Sequence, residues 1–298
     1  MSPSNDTSAG LNKFRVAVVI LLVGFSLPFY QVAKFCLSGE LYSYILLIPF
    51  VSLYFAWLQR DQLKNSGATL PPLAAALALA AGTGCVVMAL LLTTSYGSQD
   101  QLAVLMYAFV LLLTGTCFLF LPRSTVRQLA FPLGFLVFLA PMPVFMEKAL
   151  QSFLQHGSAV VADGLFQLAG TPVYRDGTIF RLPGFSMQVA RECSGINSTV
   201  ALFVTSIVTG RLLLSSPLLR FLLTLAVIPI ALVRNGVRVV TIGELCVHVG
   251  PEMIDSYIHH HGGPIFFALS LIPFFLLVLL LVKIDRRPTP PLHSATPH

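Results

Sequence analysis

Three short stretches of the chain carry the side chains that acyl transfer to a thiol requires. In the first, Val189-Ala190-Arg191-Glu192-Cys193-Ser194-Gly195-Ile196-Asn197-Ser198, strand-like residues give way to a polar turn and then to an apolar run ending at Arg211. That order predicts Cys193 at a helix N-terminus, where unpaired amides and the positive end of the helix dipole favour a thiolate, and where Arg191 adds a positive charge. The same amides can hold an oxyanion. Two plainer roles stay open for Cys193: a small buried residue at the start of the helix, or half of a disulfide with Cys246. The second stretch is Arg234-Asn235-Gly236-Val237-Arg238, with two arginines four residues apart on one helical face. A single arginine at a membrane boundary snorkels, whereas a pair beside Asn235 implies a lined polar cavity. The third is Tyr257-Ile258-His259-His260-His261-Gly262-Gly263-Pro264, with Pro264 suited to the first turn of a helix. Consecutive histidines cannot all face one ion in a regular helix or strand, so no metal and no cofactor is expected, and exposed loop histidines are the alternative. A cysteine nucleophile needs a base for its proton and a donor for the oxyanion, roles that His and Arg fill.

The elements that must hold these residues are membrane helices. Hydrophobic residues make up 56% of the 298, charged residues 10%, and the mean hydropathy is +0.83, a balance that belongs to membrane proteins. A bilayer-spanning helix takes roughly 20 apolar residues, and apolar runs of about that length fall at 14–30, 41–58, 73–93, 101–121, 129–145, 194–212, 218–238 and 264–283. The predicted fold is therefore an all-α polytopic membrane protein of about eight transmembrane helices. Between the fifth and sixth runs the chain turns polar, with Glu147, Lys148, His156, Asp163, Arg175, Asp176, Arg181 and Arg191. Within it, 146–168 has helical spacing and is expected to lie along the interface. The part after Gly170 carries turn signals at Asp176-Gly177 and Pro183-Gly184 between residues rich in Val, Tyr, Ile and Phe, the pattern of a small β-hairpin element on the outer face. The expected organisation is a tail at 1–13, a five-helix membrane region at 14–145, an extramembrane segment at 146–192, a three-helix region bearing the reactive residues at 193–283, and a disordered tail at 284–298.

Charge supports one orientation. With both termini cytoplasmic, 11 of the 18 Lys and Arg fall inside, as the positive-inside tendency requires. Of the outer seven, Lys34 alone lies in a short loop, and the others sit in or beside the polar segment and the Arg234–Arg238 stretch. At 1.5 Å per helical residue, Cys193 is ~27 Å from Arg211, Arg238 is ~27 Å from Arg220, and Pro264 is ~28 Å from Lys283. Each length is close to one hydrocarbon thickness of ~30 Å, so thiol, guanidinium and imidazole are expected at one depth, the outer interface. The net charge of +6 comes without a basic stretch bearing interleaved aromatics, which argues against nucleic acid as a partner. The five cysteines form neither CxxC nor a zinc spacing, and the first apolar run reads as a retained span, since no small-residue cleavage site follows it. A transporter or channel with an Arg- and His-lined cavity, or a scaffold in polysaccharide export, is the alternative to an enzyme. No internal repeat of the kind transporters carry is evident, and the intramembrane charges gather at one face.

Taken in order, the three stretches resemble the signature of the exosortase and archaeosortase family. Gly170-Thr171-Pro172-Val173-Tyr174-Arg175, Leu182-Pro183-Gly184 and Val189 are similar to the family's lead-in to Cys193-Ser194-Gly195. Asn235 and Arg238 match its Asn-x-x-Arg, and His259, Gly263 and Phe267 match its His-x-x-x-Gly with a following aromatic. The resemblance covers residues 170–267 specifically, and it ranks Arg238 above Arg234 and His259 above His260. One departure is Asn197, where many members carry a basic residue shortly after the Cys-Ser-Gly, so the substrate subtype stays open. It implies Cys193, Arg238 and His259 as catalytic residues, with Ser194, Gly195, Asn235, Arg234, His260 and Gly263 in support. It further implies an inner-membrane cysteine transpeptidase or protease, working at the periplasmic face. Its partners would be membrane-anchored proteins that end in a sorting signal of short motif, transmembrane helix and basic tail, as in PEP-CTERM-like systems.

Overall fold

The computed structural model describes residues 4–38, 40–60, 71–91, 98–189, 195–250, 252–253 and 262–285. Among them five helices are long and apolar enough to cross a membrane, and up to seven spans result if each of two bent helix pairs counts as one. The chain is a polytopic, all-α membrane protein with one small sheet, as expected from its apolar runs. It divides into two compact units, Met1–Glu147 and Lys148–His298.

The first unit opens with helix α1 (Ser4–Gly24) and α2 (Ser26–Ser38), whose axes bend by 55° at the break. Gly24 closes the first helix and Pro28 sits in the first turn of the second, where a missing amide costs nothing. Helix α1 starts well before the first apolar run, so part of the expected N-terminal tail is helical. A 3-10 stretch (Glu40–Leu47) leads into α3 (Ile48–Leu58), followed by α4 (Pro72–Leu91), α5 (Ser98–Phe120), α6 (Arg123–Gln128) and α7 (Ala130–Phe135). Helices α4 and α5 approach through a reciprocal pair of glycines. A Cβ on Gly82 would lie 2.7 Å from Leu112 Cγ, and one on Gly115 would lie 2.8 Å from Leu79 Cγ. In an apolar solvent such close backbone approach supplies the packing that hydrophobicity cannot. Polar groups of this unit gather around Glu147, whose Oε2 accepts from Tyr42 and from Gln99 Nε2 at 2.6 Å. Close by, Asp100 Oδ1 accepts the Val144 amide at 2.8 Å.

The second unit holds most of α8 (Val144–Ala169), then β1 (Tyr174–Asp176), β2 (Ile179–Leu182), β3 (Phe185–Gln188), α9 (Ile196–Leu213), α10 (Pro217–Leu225), α11 (Val227–His248) and α12 (Gly263–Asp285). The strands form an antiparallel meander in the order β1-β2-β3. Tyr174 pairs with Arg181 and Leu182 with Phe185. Its two turns fall at the expected places, with Gly177 at φ 62° and Gly184 at φ 86°, left-handed values that favour glycine. Alternation along the strands turns Phe180, Leu182 and Met187 inward, where they meet Phe166 of α8 and Val239, Ile242 and Cys246 of α11 in one buried cluster.

That cluster explains a difference from the apolar-run reading. The seventh run was expected to end near Arg238, yet α11 continues ten residues further, to His248, adding ~15 Å. Val239, Ile242, Gly243 and Cys246 are all buried on this extension, and a Cβ on Gly243 would lie 2.5 Å from Phe166 Cζ. The extra turns are held by the sheet and α8, a tertiary support that hydropathy along the chain does not register. In α10, Arg220 donates to the Leu214 carbonyl through Nε at 2.8 Å and Nη2 at 2.6 Å. Asp285 caps the amides of Ser215 and Ser216, which closes the connection between α9 and α10.

Candidate active site

Helix α9 starts at Ile196, with Gly195 as its N-cap in the left-handed region at φ 71°. Only glycine adopts this conformation readily, and crowding excludes a side chain as well. A Cβ on Gly195 would lie 2.5 Å from Arg234 Nη2 and 3.2 Å from Asn235 Oδ1. The last residue of the Cys-Ser-Gly block and the Arg-Asn pair of α11 are therefore in direct contact. Arg234 Nη2 donates to the Gly195 carbonyl at 2.9 Å and to Thr199 Oγ1 at 3.2 Å. Thr199 Oγ1 in turn donates to the same carbonyl at 2.8 Å.

Arg234 and Asn235 are 6% and 2% exposed, so both are effectively removed from solvent and lipid. Arg234 Nη1 and Asn235 Nδ2 have no acceptor among the described residues. A buried donor left without an acceptor costs ~1–3 kcal/mol, so each of these two donors would gain from an oxygen brought within its reach. Arg238, one turn further along α11, is half-buried. Gly236, between the two arginines, lets α11 approach α8, since a Cβ there would lie 2.7 Å from Val161 Cγ1. Arg234 also lines a cavity of about 400 Å³ between α11 and α12, whose other walls are apolar apart from Ser270. A second groove, of about 500 Å³, follows α11 outward past Val237 and Thr241 to Glu244 and His248. There Glu244 accepts from Thr171 and pairs with His248 at 3.2 Å.

Of the residues singled out from the sequence, Gly195, Arg234, Asn235, Arg238 and Gly263 are described, whereas Cys193, Ser194, His259 and His260 lie outside the described residues. Gly263 is the first residue of α12. Cys246, the other half of the disulfide alternative, is a buried residue of α11, and Cys193 itself lies outside the described residues. Among the described residues no three His, Cys, Asp or Glu side chains come together as metal ligands.

Two partners had no signal in the sequence. Thr199 is one; its place four residues after Gly195, facing back along the helix, is the only hint. Gln155 is the other. It is 9% exposed on α8 and donates to the carbonyl of Val189. A glutamine in a helix that otherwise reads as amphipathic looks like a surface residue until the tertiary fold turns it inward. No curated protein and no solved structure matches the chain. A family model described as transmembrane exosortase matches residues 36–276, from α2 to α12 and across all three stretches singled out from the sequence, and the chain belongs to that family.

Proposed function

We propose that this membrane exosortase-type protein is a cysteine transpeptidase or protease that removes the C-terminal sorting signal from exported, membrane-anchored proteins. The observation that carries the reading is the contact of Gly195 with Arg234 and Asn235, which joins the Cys-Ser-Gly block to the Asn-x-x-Arg block across 39 residues of sequence. Cys193 is two residues from Gly195, a reach of at most ~7 Å along the chain. In this reading Cys193 Sγ attacks the carbonyl carbon of the scissile peptide bond, and negative charge moves to the carbonyl oxygen. Arg238 steadies that oxyanion, and the Asn235 amide, with its open donor, orients the peptide. As the tetrahedral intermediate collapses, the C–N bond breaks and His259 delivers to the departing amine the proton it took from the thiol. A thioester on Cys193 remains. An amine acceptor or water then attacks it and restores the thiol.

The substrate's apolar tail is proposed to enter from the bilayer beside the cavity between α11 and α12, which puts the bond to be cut next to α11's arginines. In this reading the protein sits in the inner membrane with both termini cytoplasmic and the reactive face periplasmic, as the distribution of Lys and Arg favours. An ion path along the arginines is less well supported, since the cavity that Arg234 lines offers apolar walls rather than a row of polar groups. The direct test is Cys193→Ala and Cys193→Ser in the native host, with intact masses of exported proteins that end in an apolar helix and basic residues. Loss of tail removal at unchanged protein level is expected. Unaffected processing would reject the nucleophile.

A further inference from the structure

Arg234 borders two spaces. Toward α9 its Nη2 is occupied, donating to the Gly195 carbonyl at 2.9 Å and to Thr199 Oγ1 at 3.2 Å. The same side chain lines the cavity between α11 and α12, and its Nη1 has no acceptor among the described residues. A guanidinium keeps its charge in proteins. At 6% exposure it is a buried cation, which costs several kcal/mol unless an opposite charge stands beside it. None of the described carboxylates pairs with Arg234. Asp163 is paired with Arg175 and Glu244 with His248, while Asp285 caps the amides of Ser215 and Ser216. Asp176 lies in the meander, Glu252 lies beyond the end of α11, and Glu192 and Asp255 fall outside the described residues. The next charge along α11 is Arg238, of the same sign.

At 1.5 Å per residue Arg234 is ~21 Å from Arg220 and Ser270 ~20 Å from Lys283. Both therefore stand at one level inside a hydrocarbon layer of ~30 Å. At that level Val233, Leu269 and Ile272 of the cavity wall are exposed, so the cavity opens sideways, to lipid rather than water. The volume of about 400 Å³ is at the lower end of the ~300–1,000 Å³ usual for ligand pockets, room for one hydrocarbon chain and not for the two of a phospholipid. Ser270, the other polar lining residue, donates its proton to the Phe267 carbonyl at 2.6 Å, which leaves Arg234 as the donor. An apolar slot with a buried cation and no counter-ion fits a single-chain amphiphile that ends in an anion. We propose that the cavity between α11 and α12 binds one long-chain fatty acid, its carboxylate on Arg234 and its chain along the apolar walls. Guanidinium and carboxylate form a charge-assisted hydrogen bond of the strong kind, and the bilayer supplies the ligand through the open side. The proposal stands apart from the reading of Cys193 as nucleophile, since no residue of that stretch lines the cavity.

The test uses the full chain in phosphatidylcholine vesicles and a palmitic acid analogue that carries a photoreactive diazirine in its chain, with cross-linked residues located by peptide mass spectrometry. Cross-links are expected within 229–237 of α11 and 269–273 of α12. Excess palmitate should abolish them, whereas hexadecanol, which lacks the charge, and phosphatidylglycerol, which carries two chains, should not. Arg234→Met should weaken labelling about tenfold or more, the worth of a hydrogen bond to a charged group. Arg234→Lys, which keeps the charge, should lose less. Ile272→Trp, a change at an exposed position of the wall, should narrow the opening and lower labelling with the guanidinium intact; it decides the matter should Arg234→Met fail to accumulate. Competition by hexadecanol equal to that of palmitate, or labelling indifferent to Arg234→Met, overturns the carboxylate pairing. Competition by phosphatidylglycerol equal to that of palmitate would make the occupant a phospholipid and overturns the assignment, as does labelling that Ile272→Trp leaves unchanged. A synthetic apolar helix with a basic end that displaces the probe where palmitate does not would give the cavity to the sorting signal instead, and likewise overturns it. Every readout is binding, so the fate of tail removal in Cys193→Ala bears on the function reading alone.

Discussion

At Gly195 a single backbone oxygen serves several donors, Ser198 Oγ at 3.4 Å among them. The carbonyl also accepts from Arg234, from Thr199 Oγ1 at 2.8 Å and from the Thr199 amide at 3.0 Å, while the φ of 71° places the residue where α9 can start. Gly195→Ala should therefore be among the most damaging one-carbon changes in the chain. The left-handed conformation costs an L-residue ~1–2 kcal/mol, and the new methyl would collide with Arg234 Nη2. Tail removal is expected to fall at least tenfold while the protein still reaches the membrane; activity near that of the natural protein would show that the contact is dispensable. Arg238 is expected to behave differently. If it steadies the oxyanion, Arg238→Lys should lose about 100-fold in cleavage rate, because an ammonium lacks the planar fork that two-point recognition of a carbonyl uses. Rates within a few-fold in purified membranes would move that role elsewhere. Arg234 and Arg238 are one turn apart and alike on paper. They differ in burial, Arg234 being buried and Arg238 half-buried, and Arg234 donates to the Gly195 carbonyl.

At the scale of elements, a small core outside the apolar runs lies just before the Cys193 stretch in the chain. The meander, α8 and the last ten residues of α11 share Phe166, Phe180, Met187, Ile242 and their neighbours. Phe166 and Phe180 are fully buried, with ring centroids 5.6 Å apart at 53°. Phe166→Ala should cost ~3–5 kcal/mol, and Gly243→Val ~1–3 kcal/mol through overpacking against the same ring. Thermal unfolding of the solubilised protein checks both. Because β3 and the buried Val189 come only four residues before Cys193 in sequence, loss of this core should slow Cys193 alkylation in step with unfolding of the meander, as reported by proteolysis after Arg181. Alkylation that stays unchanged once the meander is cut would mean that this core does not govern the reactivity of Cys193. The α8–α11 approach runs through small residues, Gly157 against Leu232 and Gly236 against Val161.

For the whole molecule, the proposed orientation of the spans rests on where Lys and Arg fall. In a Cys193→Ala background, Asp176→Cys in the β1–β2 turn should label with an impermeant maleimide in intact spheroplasts. Arg123→Cys, at the start of α6, should label only after permeabilisation; the reverse pattern would invert the topology. What the sequence determined by itself was the solvent and the cast. Long apolar runs admit only helices in a bilayer, because every backbone amide there needs a partner within its own segment. Two turn dipeptides placed the hairpins, and three ordered blocks pointed to the family. Those are local properties, readable from a window of a few to twenty residues. The continuation of α11 to His248, the inward turn of Gln155 and the choice of Arg234 to hold Gly195 were decided by tertiary structure. Each depends on a partner tens of residues away, Phe166 for the extension, Val189 for the glutamine and Gly195 for the arginine, and hydrogen bonds across that separation leave no periodic trace along the chain.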